Sequence, residues 1–168
     1  MTKPVKVLFV CLGNICRSPT AHGIFDQLVK EAGLQDQIHI DSAGTSDWHV
    51  GKAPDSRTVA RARQRGYDLS PLRARQFVCS DFDQFDYVLG MDDSNMANMR
   101  QLHPGKFDGT FELFLNFGSR QDYREVPDPY YGGEKGFDLV IDLVEQASEG
   151  LLTHIRQHHL DSYHLVEK

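Results

Sequence analysis

Val5-Lys6-Val7-Leu8-Phe9-Val10-Cys11-Leu12-Gly13-Asn14-Ile15-Cys16-Arg17-Ser18-Pro19 is the stretch that decides the architecture. Its opening run, Val5 to Val10, is short, β-branched and apolar, the pattern of a strand buried in a parallel sheet. A turn follows. Ser18-Pro19 then opens a helix, because serine is a preferred N-cap and proline is favoured at the first helical position. Ala21, Ile24, Phe25, Leu28 and Ala32 share one face of that helix, and Gly33 suits its C-terminal end.

Outward from this unit the alternation continues. Ile38 to Gly44 reads as a second strand ending in a loop, and Asp55 or Ser56 caps a helix that stops at Gly66. Asp86 to Met91 is the third strand; Asp92 to Ser94 starts a helix that ends before Pro104. A fourth strand is expected around Thr110 to Phe117. Phe137 to His159 then forms a long helix with Val140, Val144, Ala147, Leu151 and Ile155 on one stripe. Strands alternating with helices imply the α/β class: one domain over residues 1–168, with 1–4 and about 160–168 as loosely ordered tails. The predicted fold is an open, doubly wound, four-stranded parallel sheet, flavodoxin-like, with helices on both faces and right-handed crossovers. Ligands in such folds bind beyond the carboxyl ends of the strands, where strand order reverses. The turn after the first strand is therefore the place to look.

Composition narrows the function classes. With 40% apolar and 25% charged residues over 168 positions, the chain can bury a core, which excludes a disordered or collagen-like protein. A net charge of −6 argues against a general nucleic-acid binder, which carries a basic face. No apolar run approaches the roughly 18 residues of a membrane span, so no membrane partner is expected. Met1-Thr2-Lys3-Pro4 leads into a strand rather than a signal peptide's apolar core, which predicts a cytoplasmic protein. Three cysteines are too few for a disulfide framework, so a special cysteine is expected to be reactive. Of the eight histidines, His154, His158 and His159 cluster late in the last helix with no cysteine or carboxylate at zinc-motif spacing. They read as a solvated helix end favoured by the dipole, and no metal or other cofactor is expected.

The turn carries the chemistry. A helix N-terminus offers unpaired N–H groups and partial positive charge, and a loop curling onto it can aim further amides at one oxyanion. Gly13 and Asn14 tolerate the left-handed backbone such a loop needs. Arg17 adds a bidentate fork for two oxygens, and the positive field favours the thiolate of Cys11. A thiolate beneath a bound phosphate is placed for in-line attack on phosphorus. By itself, a cysteine at the end of a buried strand is a small core residue. Here strand, cysteine, Gly-Asn turn, arginine and Ser-Pro occur together in the order the chemistry requires.

Cys11 to Pro19 resembles the Cys-x5-Arg-Ser signature of the low-molecular-weight protein tyrosine phosphatases. Asp128-Pro129-Tyr130-Tyr131-Gly132 is similar to that family's general-acid loop. Asp41-Ser42-Ala43-Gly44, Ser46-Asp47-Trp48, Ala74-Arg75-Gln76 and Phe85 to Asp92 fall in matching order, so the likeness spans roughly residues 5 to 159. The resemblance implies a hydrolase of phosphotyrosine and small aryl phosphates acting through a cysteinyl-phosphate. Cys11 is then the nucleophile, Arg17 the clamp on the equatorial oxygens, and Asp128 the acid and later the base. Ser18 donates to the thiolate and caps the helix, while Asn14 braces the loop with Ser42 as its partner. Trp48 and Tyr130 wall the substrate ring over an apolar floor of Leu12 and Ile15, and Gly13 belongs to the phosphate-binding turn. Cys16 is the neighbour that traps an oxidised Cys11 as a reversible disulfide.

Several further expectations complete the reading. Cys79 is a buried structural thiol, and the arginines from Arg57 to Arg75 form a solvated helix face and loop. Leu72 stands where some relatives place a histidine bonded to the signature serine, so Asn14 and Ser42 alone are expected to orient Ser18. The partner is a phosphotyrosine protein, and the chain is a monomer or a weak homodimer through Tyr130 and Tyr131. Three rivals share the loop. A thioredoxin-coupled arsenate reductase needs two more cysteines downstream, where only Cys79 remains. A phospho-arginine phosphatase carries threonine at the position of Ile15. A non-catalytic phosphate-binding module needs neither Cys11 nor Asp128.

Overall fold

The computed structural model describes residues 3–129 and 133–160. The strands are β1 Val5–Cys11, β2 Ile38–Gly44, β3 Tyr87–Gly90 and β4 Thr110–Leu113. The helices are α1 Arg17–Glu31, α2 Ser56–Gln64, α3 Asp81–Gln84, α4 Asp93–Arg100 and α5 Gly133–Ile155. All sheet pairings are parallel, in the order β2-β1-β3-β4. Strand order therefore reverses about β1, and its carboxyl end opens the crevice where such folds bind ligands. Among the described residues no helix is long and apolar enough to cross a membrane.

The twofold period of β1 assigns its side chains to two cores. Val5, Val7, Phe9 and Cys11 join α1 and α5 on one face, with Phe9 edge-on to Phe25 at 5.7 Å and to Phe114 at 4.9 Å. Leu8 and Val10 join Phe77, Phe82, Val88, Met96 and Met99 on the other. Cys11, last in the strand, thus lies on the α1 face, below that helix's first turn.

Four expectations about elements shift. α1 begins at Arg17 with Cys16 at its N-cap, so Ser18 sits within the first turn instead of capping it. Its hydroxyl is taken by the loop, as described below. β4 stops at Leu113, and Phe114–Phe117 coils into a 3-10 turn that places Phe114 against Phe9. α5 starts four residues before Phe137, at Gly133, and passes at Ile155 into a π turn over Arg156–Leu160. At that end His154 is not simply solvated: it packs edge-on against Tyr87 at 5.7 Å and Phe117 at 5.1 Å.

The arginines are largely engaged rather than a bare solvated face. Arg61 pairs with Asp138 and Arg65 with Asp142 and Glu145, fastening α2 to α5. Arg75 bonds Asp41 and Asp81 at 3.0 Å each, fixing residues 74–77 beside the end of β2. The apolar environment expected for Cys79 is absent, since it lies exposed in the turn before α3.

Candidate active site

Residues 11–17 lead from the end of β1 into the N-terminus of α1, and four of their carbonyls are taken by amides beyond the loop. Cys11 O and Leu12 O accept from the amides of Thr45 and Ser46, Ile15 O from Asp55, and Cys16 O from Thr20. Across each trans peptide the next N–H points the opposite way. The amides of Leu12, Gly13, Cys16 and Arg17 are thereby directed at the cavity these residues line, an arrangement suited to a tetrahedral anion. Asn14 makes the bend with φ 57°, the one positive φ outside glycine among the described residues. Its buried side chain donates to Ser18 Oγ at 2.7 Å and accepts from the Arg75 amide at 3.1 Å. Gly44 lets the strand end approach: a Cβ there would lie 2.7 Å from Leu12 O and 3.1 Å from Asn14 N.

Cys11 Sγ lies 3.0 Å from Ser18 Oγ and accepts from the Asn14 amide at 3.3 Å. Arg17 is buried, donating to Asp92 Oδ2 at 2.6 Å and to Val126 O at 3.0 Å; Asp128 Oδ2 lies 4.0 Å from it. Burial works against the guanidinium charge, but Cys11, Asp92 and Asp128 outweigh it and raise its pKa. Burial also pushes the Cys16 thiol up to about 12, with the nearby Asp55 and Cys11 adding to the effect. Cys16 is therefore a neutral thiol beside its reactive neighbour.

The cavity, of about 200 Å³, is lined by Cys11, Leu12, Gly13, Ile15, Cys16, Arg17, Trp48, His49 and Asp128. Trp48 stands at the rim, 66% exposed. Asn14 and Ser18 sit behind this surface. Ser42 is not the partner of Asn14: it turns to the α1 face, where His22 Nδ1 meets its hydroxyl at 3.0 Å, and Asn14 bonds Ser18 and Arg75 instead. Strand alternation explains this, since Ser42 is paired with Phe9 and shares its side of the sheet. Tyr130 and Tyr131 lie outside the described residues.

Two site residues escaped sequence reasoning. Asp92, read as a helix start, both caps α4 through the Asn95 amide and holds Arg17. A cap serving a second partner leaves no extra mark in the chain. His49 covers Gly13, whose Cβ would come within 3.0 Å of its ring. Its position next to Trp48 was the available signal.

A doubly wound α/β sheet with a thiol under a helix N-terminus, a buried arginine and an acid across the opening defines a phosphate-ester site built on cysteine. The chain belongs to the low molecular weight phosphotyrosine protein phosphatase family, whose model matches residues 6–160. It is 46% identical to the Schizosaccharomyces pombe low molecular weight phosphotyrosine protein phosphatase, covering 86% of this chain and 94% of that one. The Bacillus subtilis low molecular weight protein-tyrosine-phosphatase YfkJ is 39% identical, over 91% of this chain and 97% of its own. A crystal structure of a protein tyrosine phosphatase from Entamoeba histolytica superposes with a TM-score of 0.87 at 40% identity, covering 91% and 97% of the two chains.

Proposed function

We propose that this protein hydrolyses phosphotyrosine in proteins, and small aryl phosphates, through a phosphocysteine on Cys11. The observation that carries the reading is Cys11 Sγ within reach of Ser18 Oγ and the Asn14 amide, in a cavity that Arg17 and Asp128 also line. The loop amides and Arg17 hold the three non-bridging oxygens of the phosphate. The thiolate attacks phosphorus as the bond to the phenolic oxygen breaks, and Asp128 gives that oxygen its proton. Asp128, now a carboxylate, takes a proton from water as its oxygen attacks the phosphocysteine. Phosphate leaves, and the Ser18 hydroxyl stabilises the restored thiolate. Charge at the reacting phosphoryl changes little in a loose transition state, so positioning and electrostatics supply most of the rate.

The ring of the substrate lies over Leu12 and Ile15 beside Trp48, where stacking adds roughly 0.5–1.5 kcal/mol per ring pair. After peroxide converts Cys11 to a sulfenic acid, the Cys16 thiol displaces water to close a disulfide that a dithiol reopens. The chain acts as one phosphatase domain in the cytoplasm, as a monomer or weak homodimer, without a cofactor.

Release of phosphate from para-nitrophenyl phosphate and from tyrosine-, serine- and arginine-phosphorylated peptides, with and without chelator, tests the reading. Chelator-insensitive turnover confined to the aryl substrates is expected. Turnover of phosphoarginine alone, or tight phosphate binding without turnover, overturns it.

A further inference from the structure

Behind the Cys11 loop, α1 and β2 are joined by two polar rungs. In the first, Ser18 Oγ meets the Ala43 carbonyl at 3.3 Å; in the second, His22 Nδ1 meets Ser42 Oγ at 3.0 Å. Ser18 and His22 are four residues apart on α1, so they stand one turn above the other, and Ser42 and Ala43 are consecutive in β2. The first rung ends at the reacting sulfur, 3.0 Å from Ser18 Oγ. The second touches nothing that reacts. His22 and Leu72 line a common cavity of about 420 Å³ with Asp26, Lys30 and Asp68, so a histidine comes to this region from α1 while Leu72 offers no polar atom.

We propose that His22 is a positioning residue for the Cys11–Ser18 pair, acting through Ser42 to hold the end of β2 against the first turn of α1. The proposal rests on the phosphocysteine reading. Ser18 has one hydroxyl proton and two acceptors in reach, Cys11 Sγ and Ala43 O, while Asn14 Nδ2 fills one of its lone pairs. Where the Ala43 carbonyl sits decides how that proton is shared. With the second rung in place, Ala43 stays at its longer distance and the hydroxyl serves the thiolate. Without it, the strand end drifts and Ser18 spends less time on sulfur. Asp41 and Asp26 favour a charged His22, His39 and Lys30 oppose it, and burial prevails and lowers its pKa, so the rung is made by a neutral imidazole at pH 7.

The test uses the whole chain and two readouts. One is the pH dependence of Cys11 alkylation by iodoacetate, which needs no turnover; the other is kcat and KM with para-nitrophenyl phosphate. His22→Leu and Ser42→Ala should each shift the alkylation midpoint upward and lower kcat roughly 3- to 10-fold with KM nearly unchanged, the scale of one lost hydrogen bond. His22→Asn, whose amide can reach where Nδ1 stood, should restore both, and the double variant should be no worse than either single one. Unmoved alkylation and kcat in both single variants overturn the proposal, as does an Asn variant no better than Leu. An inactive wild type whose variants still shift the alkylation midpoint would instead sink the phosphocysteine reading and leave the positioning role standing.

Discussion

Asp92 Oδ2 lies 2.6 Å from Arg17 Nη1, while the other oxygen of the same carboxylate caps α4 through the Asn95 amide at 2.7 Å. One side chain thus ties the end of β3 to the buried cation of the Cys11 loop. Asparagine caps helices as well as aspartate does, which separates the two roles. Asp92→Asn should keep the helix cap but remove the charge beside buried Arg17, lowering the melting temperature and cutting kcat/KM roughly 10- to 100-fold, the worth of a hydrogen bond to a charged group. Asp92→Ala should lose as much activity and a further ~1 kcal/mol of stability from the cap. Thermal melts and steady-state kinetics on both variants check this; an Asn variant with full activity contradicts it.

Gly44 gives a sharper steric case. A methyl group there meets Leu12 O, Gly13 C and Asn14 N at 2.7 to 3.1 Å, all of them backbone. Gly44→Ala should therefore push the loop out of shape and lower activity far more than stability. Vanadate or phosphate titration, read by protection against alkylation, should show weakened anion binding in a folded protein. Unaltered binding would mean the loop yields without cost.

Asp128 is placed at the mouth of the cavity, 4.0 Å from Arg17. An acid matters in proportion to how poor the leaving group is. Asp128→Asn keeps size and turn propensity but delivers no proton, so phosphotyrosine hydrolysis should slow by roughly 10²–10⁴-fold. Aryl phosphates with increasingly acidic phenols should lose progressively less. Parallel leaving-group plots for the two proteins would assign Asp128 to the loop's shape alone.

The partly buried imidazoles predict a pH dependence of stability. Burial lowers the pKa values of His22 and His154 from 6.5 in the folded chain. Below that value the unfolded chain binds protons that the folded one resists, so stability falls as pH drops and is fully present above it. Asp93, Asp122 and Asp138, held down by Arg124, Arg120 and Arg61, lose their contribution only as pH falls below 3.8, outside this window. The melting temperature should fall between about pH 7.5 and about pH 5.5, and fall less in His22→Asn. Equal losses in the two proteins would contradict the assignment to His22.

The fold was legible because hydrophobic period and punctuation agree: Val5 to Val10 has no reading but a buried strand, and Asp55 and Asp92 each cap the helix they precede. The loop residues from Cys11 to Ser18 were legible for a similar reason, since they are contiguous and their chemistry depends on order. Contacts between distant segments were not. The pairings of Ser42 with His22, Arg17 with Asp92 and Arg75 with Asp41 are set by strand register and helix packing across 20 to 75 positions, and no local pattern encodes them. Ser18 shows the limit from the other side: its sequence looks like a cap, but a hydroxyl offered a thiol, an amide and a carbonyl within 3.3 Å is used by the loop.

The central claim is that the phosphoryl group passes through Cys11. Turnover of an aryl phosphate quenched in acid before completion, followed by peptide mass mapping, tests it directly. The account predicts one phosphoryl group on the peptide carrying Cys11, more of it in Asp128→Asn when a good leaving group is used, and none in Cys11→Ser. Turnover with that peptide unmodified at every time point, or a phosphoryl group on another residue, would contradict it.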